Sequence, residues 1–179
     1  MSTHYSKRSP LFSVVFSAMI LALIISIASI FRGTTSILAM ILIPCVLALS
    51  FVFINVKDRI LLSVVCLLLT VILVSTQSIF MLLYVILGFI LIKITQSNQP
   101  LSLINMLIYI IFVMVTLFVG LILTQMVFMI PLHQIMLSIT KNSYALYVFI
   151  VFVEALIISS VHLIFVKQIR NRLRFFKER

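Results

Sequence analysis

Charge is scarce in this chain of 179 residues: 9% of positions are Asp, Glu, Lys or Arg, and only Asp58, Glu154 and Glu178 are acidic. A water-soluble domain is about one quarter charged. With 64% hydrophobic residues and a mean hydropathy of +1.39, a soluble fold of this size has nowhere to hide its apolar surface. That excludes a soluble enzyme, a nucleic-acid-binding module and a disordered tail. Glycine is reduced to three residues, and no glycine-rich nucleotide loop is present. The two cysteines, Cys45 and Cys66, fall inside apolar runs with no disulfide or metal-ligand spacing around them, so both are expected to be reduced and buried. Neither shares its run with a histidine, and no HExxH or serine elbow occurs. No catalytic residue, metal or cofactor is therefore expected. Strand-like alternation over about ten residues is missing as well, which excludes a β-barrel, and no internal repeat is visible.

What the sequence does contain is a series of long apolar runs. A membrane-spanning helix needs about 20 apolar residues, within a range of about 17–25. Six such segments are expected, at about 11–30, 35–56, 60–75, 78–92, 101–125 and 144–166. The first is too long for a signal-peptide core and has no small-residue cleavage site after it, so no cleavable signal is expected. The run 60–92 exceeds one helix and is divided at Ser75-Thr76-Gln77-Ser78. Segment 93–100, KITQSNQP, reads as a polar loop. Pro131 interrupts the chain before a short interfacial segment, 132–142, and Pro44 is expected to kink the second helix. Gly33 suits a tight turn. The expectation is a single all-α domain, 1–179, embedded in the lipid bilayer as a six-helix bundle.

Basic residues orient it. The net charge of +10 is unevenly spread, with Lys167, Arg170, Arg172, Arg174, Lys177 and Arg179 crowded into a tail at 167–179. With the N-terminus inside, Lys7, Arg8, Lys57, Arg59, Lys93 and these six all fall on the cytoplasmic side, and only Arg32 and Lys141 lie outside. That asymmetry fits the positive-inside rule with both termini cytoplasmic, as in a multi-pass protein of a bacterial plasma membrane. An odd number of helices would put the two ends on opposite sides and weaken the bias. The basic character thus points to a membrane surface and not to nucleic acid.

Glu154 is the only acid inside a span. A charge at mid-bilayer costs about 2.5–3.5 kcal/mol on insertion scales, so it should face the bundle interior. It is either a contact for a substrate, proton or cation, or a hydrogen-bonded packing residue. At about 100° per residue, Tyr147 lies about 20° from Glu154 around the helix and His162 about 80°, so a relay along one face is conceivable. An ordinary helix-contact role is the commoner fate of a lone histidine such as His162, and His133, beside Pro131, reads as a solvated loop residue. The fifth helix carries a polar seam, Asn105, Tyr109, Thr116, Gly120 and Thr124, within about 100° of arc. Because the fifth and sixth helices run antiparallel, Thr116 is expected near the depth of Glu154. The alternative for this seam is interhelical packing at about 0.6 kcal/mol per hydrogen bond. Glu154, Tyr147, Thr116 and Asn105 are thus the candidate binding residues. Ala18, Ala22 and Ser26 form a small-residue stripe along the first helix, repeated by Ala155 and Ser159 on the last. Such stripes let another helix approach closely.

Six short-looped helices, two cytoplasmic ends and Ala18/Ala22 in SAMILALIIS resemble the S components of energy-coupling-factor (ECF) transporters. In that family an AxxxA pair on the first helix docks onto a transmembrane coupling subunit that works with ATPases. The resemblance implies a substrate-binding transport subunit, with Ala18, Ala22 and Ser26 as the docking stripe. The third helix carries no alanine pair, and the outer loops are short. By size and helix count the chain is also similar to the rod-shape membrane protein MreD. That likeness implies a non-transporting scaffold whose partners are envelope-assembly proteins. A proton- or cation-coupled exporter using Glu154 is a third possibility.

Overall fold

The computed structural model describes residues 10–31, 36–96, 102–129 and 131–177. The Gly33 turn, segment 97–101, and Lys7, Arg8, Arg32, Glu178 and Arg179 lie outside the described residues. Among the described residues the chain is all-α: α1 Pro10–Ile30, α2 Ser36–Phe53, α3 Val56–Leu73, α4 Ser78–Gln96, α5 Leu103–Phe128, α6 Leu132–Ile139 and α7 Tyr144–Lys177.

Local chemistry accounts for several of these boundaries. Pro10 occupies the first position of α1, where its missing N–H leaves nothing unpaired. Asp58 lies in the first turn of α3, at the positive end of the helix dipole. Between α3 and α4 the chain makes a 3-10 turn over Ser75–Gln77, in the polar tetrapeptide that divides the long apolar run. At the end of α5, Met129 takes a left-handed conformation (φ 55°), and α6 begins directly after Pro131.

Two boundaries differ from the sequence expectation. Residues 93–96 continue α4 as helix. There the Thr95 hydroxyl donates to the Leu91 carbonyl at 2.7 Å, so the polar side chain is satisfied without leaving the helix. The tail likewise continues α7 to Lys177. Segment 167–177 is mostly Lys, Arg, Gln, Leu and Ile without Gly or Pro, and nothing in it stops a helix. α7 is consequently about 51 Å long.

Among the described residues four helices are long and apolar enough to cross a membrane: Leu11–Ile30, Ser78–Thr95, Leu103–Val127 and Tyr144–Arg172. The apolar part of α2, Ile37–Phe53, is shorter. α3 opens on Lys57-Asp58-Arg59, which leaves 60–73 as its apolar stretch. Outward faces are largely apolar, with Met19, Ile72, Leu103, Ile111 and Ile164 all exposed. That pattern belongs to a surface that meets hydrocarbon.

α2 is the central helix and packs against α1, α4 and α7. Its Ala39, Ile43, Leu47, Ala48 and Phe51 are fully enclosed. It approaches α4 closely at Gly88, where a Cβ would lie 3.0 Å from the Leu47 Cβ. Glycine is what permits this approach. α5 packs on α4 and α7, α3 on α1 and α4, and α6 on α5 and α7. Two cross-links fix which helix ends share a side. The Ser13 hydroxyl donates to the Asp58 carboxylate at 2.9 Å, joining the start of α1 to the start of α3. At the opposite end, Gln77 Nε2 donates to the Phe31 carbonyl at 3.3 Å, joining the end of α1 to the α3–α4 turn.

Candidate functional site

A cavity of about 270 Å³ opens between α2, α4, α5, α6 and α7. Its walls come from helix segments at one end of the bundle: Ile37 and Met40 of α2, Phe80 and Tyr84 of α4, Thr116, Gly120 and Thr124 of α5, and Val151 and Glu154 of α7, with Met136 of α6 beside them. This is the end that carries the α3–α4 turn and the connections around α6. Leucines 83, 117 and 121 complete an otherwise apolar lining.

Glu154 and Thr116 both line this cavity, as their matched depths on antiparallel helices lead one to expect. Glu154 is half-buried and has no hydrogen-bond or ion-pair partner among the described residues. Thr116 donates its hydroxyl to the Phe112 carbonyl, and Thr124 donates to the Gly120 carbonyl, each at 2.8 Å. Both donor hydrogens are thus committed to the helix backbone, which leaves the oxygens as acceptors.

Asn105 and Tyr147, the other two candidates, are absent from the cavity lining. Asn105 shares the Thr116 face but sits eleven residues earlier, about 16 Å along the axis, where α5 is exposed. Tyr147 is buried one level above Glu154, edge-on to Phe118, with His133 Nδ1 3.3 Å from its hydroxyl. His133 is therefore not a solvated loop residue. It is half-buried against the Tyr147 ring, where it ties α6 to α7.

His162 is not connected to Glu154 by hydrogen bonds. Fully buried on α7, it holds three helices together. Its Nδ1 is 2.7 Å from the Tyr109 hydroxyl on α5, and its Nε2 lies 3.2 and 3.1 Å from the Met40 and Ile41 carbonyls on α2. Carbonyls only accept, so Nε2 carries the hydrogen; in the neutral ring Nδ1 then accepts from Tyr109. Pro44 explains why the Met40 carbonyl is available. In a regular helix the N–H of residue 44 would pair with the carbonyl of Met40, and proline has no N–H to give. His162 supplies the missing donor. Sequence reasoning noted both Pro44 and His162 but had no means of pairing them. The signal was the unpaired carbonyl that a mid-helix proline leaves four residues back.

The small-residue stripes part company. Ala155 and Ser159 are fully buried inside the bundle, and the Ser159 hydroxyl has no partner there. Ala18, Ala22 and Ser26 are exposed on α1, whose opposite face buries Ile24, Ile27 and Ala28. The Ser26 hydroxyl donates back to the Ala22 carbonyl at 2.8 Å, which leaves the stripe smooth. Cys45 and Cys66 are buried and unbridged, with Cys66 Sγ 3.7 Å from Met81 Sδ. No protein-family model, curated protein or solved structure matches the chain.

Proposed function

We propose that this chain is a membrane-embedded substrate-binding subunit, similar in role to an ECF transporter S component. It takes a small solute into the cavity beside Glu154 and works with a separate energising partner. The observation that carries the reading is Glu154, without a partner among the described residues, in the wall of a largely apolar cavity of about 270 Å³. A carboxyl kept for packing alone would be expected to bond to a neighbouring helix, and Glu154 does not. Such a space has the lining of a small-ligand site and lies just below the usual size range of about 300–1,000 Å³.

The topology that goes with this reading has six crossings, α1 to α5 and α7, with both ends in the cytoplasm of a bacterial cell. Eleven basic residues against two support it. The cross-links Ser13–Asp58 and Gln77–Phe31 set α1 and α3 parallel, start beside start and end beside end, which favours counting the shorter α2 and α3 as crossings. The cavity then opens towards the outer leaflet. The exposed Ala18–Ala22–Ser26 stripe is the face on which a partner helix of a coupling subunit would seat.

Copurification from native membranes, with mass spectrometry of both proteins and bound small molecules, tests the proposal. An ATPase-containing complex and a retained small solute are expected, and the solute should be lost in Gly120→Leu, which fills the cavity. Recovery of envelope-assembly proteins with no solute would instead establish the scaffold role.

A further inference from the structure

We infer that the ligand of the Glu154 cavity is a small lipophilic amine, bound as its ammonium ion. The inference rests on the binding-subunit reading and adds the chemical class of what is bound.

The hydrogen-bonding character of the cavity decides the class. Glu154, Thr116 and Thr124 offer a ligand acceptors: the Glu154 carboxylate and the two threonine hydroxyl oxygens, whose hydrogens point to Phe112 and Gly120. Tyr84 adds a neutral phenol to the lining. Among the described residues no Lys, Arg, His, Asn or Gln lines the cavity, so no side chain there offers a cationic or amide donor. A carboxylate or phosphate ligand would find no positive charge and would meet the Glu154 carboxylate. An ammonium group brings three donors and no acceptor, the complement of this set. Paired with Glu154 it also makes the site neutral overall, which a low-dielectric surrounding strongly favours.

The remaining lining separates an organic cation from a metal ion. Hard cations take six or more oxygen ligands, and the described lining offers side-chain oxygens from Tyr84, Thr116, Thr124 and Glu154, of which only Glu154 is charged. Ile37, Met40, Leu117, Leu121 and Val151 instead call for a hydrocarbon body, and the Phe80 and Tyr84 rings add π faces that attract a cation. The volume equals about nine waters at bulk density, enough for a ring or short branched chain with one amino group.

Three ligands of nearly equal shape distinguish the possibilities: cyclohexylmethylamine, cyclohexylmethanol and cyclohexanecarboxylate. Binding is measured by calorimetry on the full chain in phosphatidylcholine nanodiscs, with empty nanodiscs as the partition control. The amine is expected to bind about tenfold or more tighter than the alcohol, with no binding of the carboxylate. Glu154→Gln should bring the amine down to the level of the alcohol and leave the alcohol unchanged. Should that variant fail to fold, the wild-type ranking alone decides. An alcohol that binds as well as the amine, or a preference for the amine that survives in Glu154→Gln, overturns the amine assignment and leaves the binding-subunit reading standing. If none of the three binds, the assignment is also overturned, while the binding-subunit reading falls only if the native preparation is free of solute.

Discussion

Replacing His162 by leucine removes a donor that Pro44 made necessary, and the size of the effect can be worked from the contacts. Two buried groups lose their partners: the Met40 carbonyl, which has no helical donor because residue 44 is proline, and the Tyr109 hydroxyl. The Ile41 carbonyl keeps the Cys45 N–H as its regular helical partner. A stranded buried polar group costs about 1–3 kcal/mol, and interhelical hydrogen bonds measured in membranes average nearer 0.6. His162→Leu should therefore destabilise by about 2–4 kcal/mol. The sharper test is a double-mutant cycle with Pro44→Ala. Alanine restores an N–H four residues after Met40, so in that background His162→Leu strands only Tyr109. The two substitutions should couple by about 1–2 kcal/mol, with the double variant more stable than the sum of the singles predicts. Reversible unfolding in mixed dodecyl sulfate and maltoside micelles, followed by far-UV circular dichroism, measures all four corners. Tyr109→Phe serves as a control that leaves the Met40 bond in place and should couple to Pro44→Ala weakly. Additivity of Pro44→Ala and His162→Leu to within about 0.5 kcal/mol would refute the claim that the histidine answers the proline.

Three further outcomes are expected. Gly88→Ala sets a Cβ 3.0 Å from the Leu47 Cβ, which is fixed to its backbone and cannot swing aside; overpacking of about 1–3 kcal/mol outweighs or cancels the gain of about 1 kcal/mol in helix propensity. Gly88→Val should lower the melting temperature further, and an unchanged melt in the valine variant would contradict the close α2–α4 approach. Ala22→Leu falls on an exposed face, so the isolated protein should melt as wild type does while pull-down of a partner complex is lost; unfolding of the isolated variant would show instead that the stripe packs internally. A reporter fused after Arg179 should read cytoplasmic and one inserted at Asn142 external, and a cytoplasmic reading at Asn142 would dismantle the six-crossing topology.

How much of this was legible in the sequence depended on the distance over which each signal acts. Helix identity and the main interruptions came from local properties: apolar length, Pro131, and the Ser75–Gln77 turn. Where polarity was taken to mean a loop, at 93–96, the chain stayed helical, because hydroxyls can bond to their own helix; the basic tail carries α7 on to Lys177, because long basic side chains are good helix formers. The Glu154–Thr116 pairing was legible because antiparallel neighbours of known length put matching depths side by side. Asn105 had the right face and the wrong depth. Phe80 and Tyr84 carried no polar signal that would assign them to the cavity, and the His162 contacts span three helices whose packing no periodicity reveals.

The Pro44–His162 contact also sets an order of events during synthesis. The two residues are separated by 118 positions, and at about 5–20 residues per second the ribosome needs about 6–24 s to go from one to the other. Through that interval α2 carries an unpaired carbonyl, and each such group in hydrocarbon costs several kcal/mol. The central helix thus remains incomplete until the last helix arrives, and chains that terminate before His162 leave α2 with a standing defect. Quality-control proteases of the membrane would have in that one carbonyl a means of telling a finished chain from a fragment.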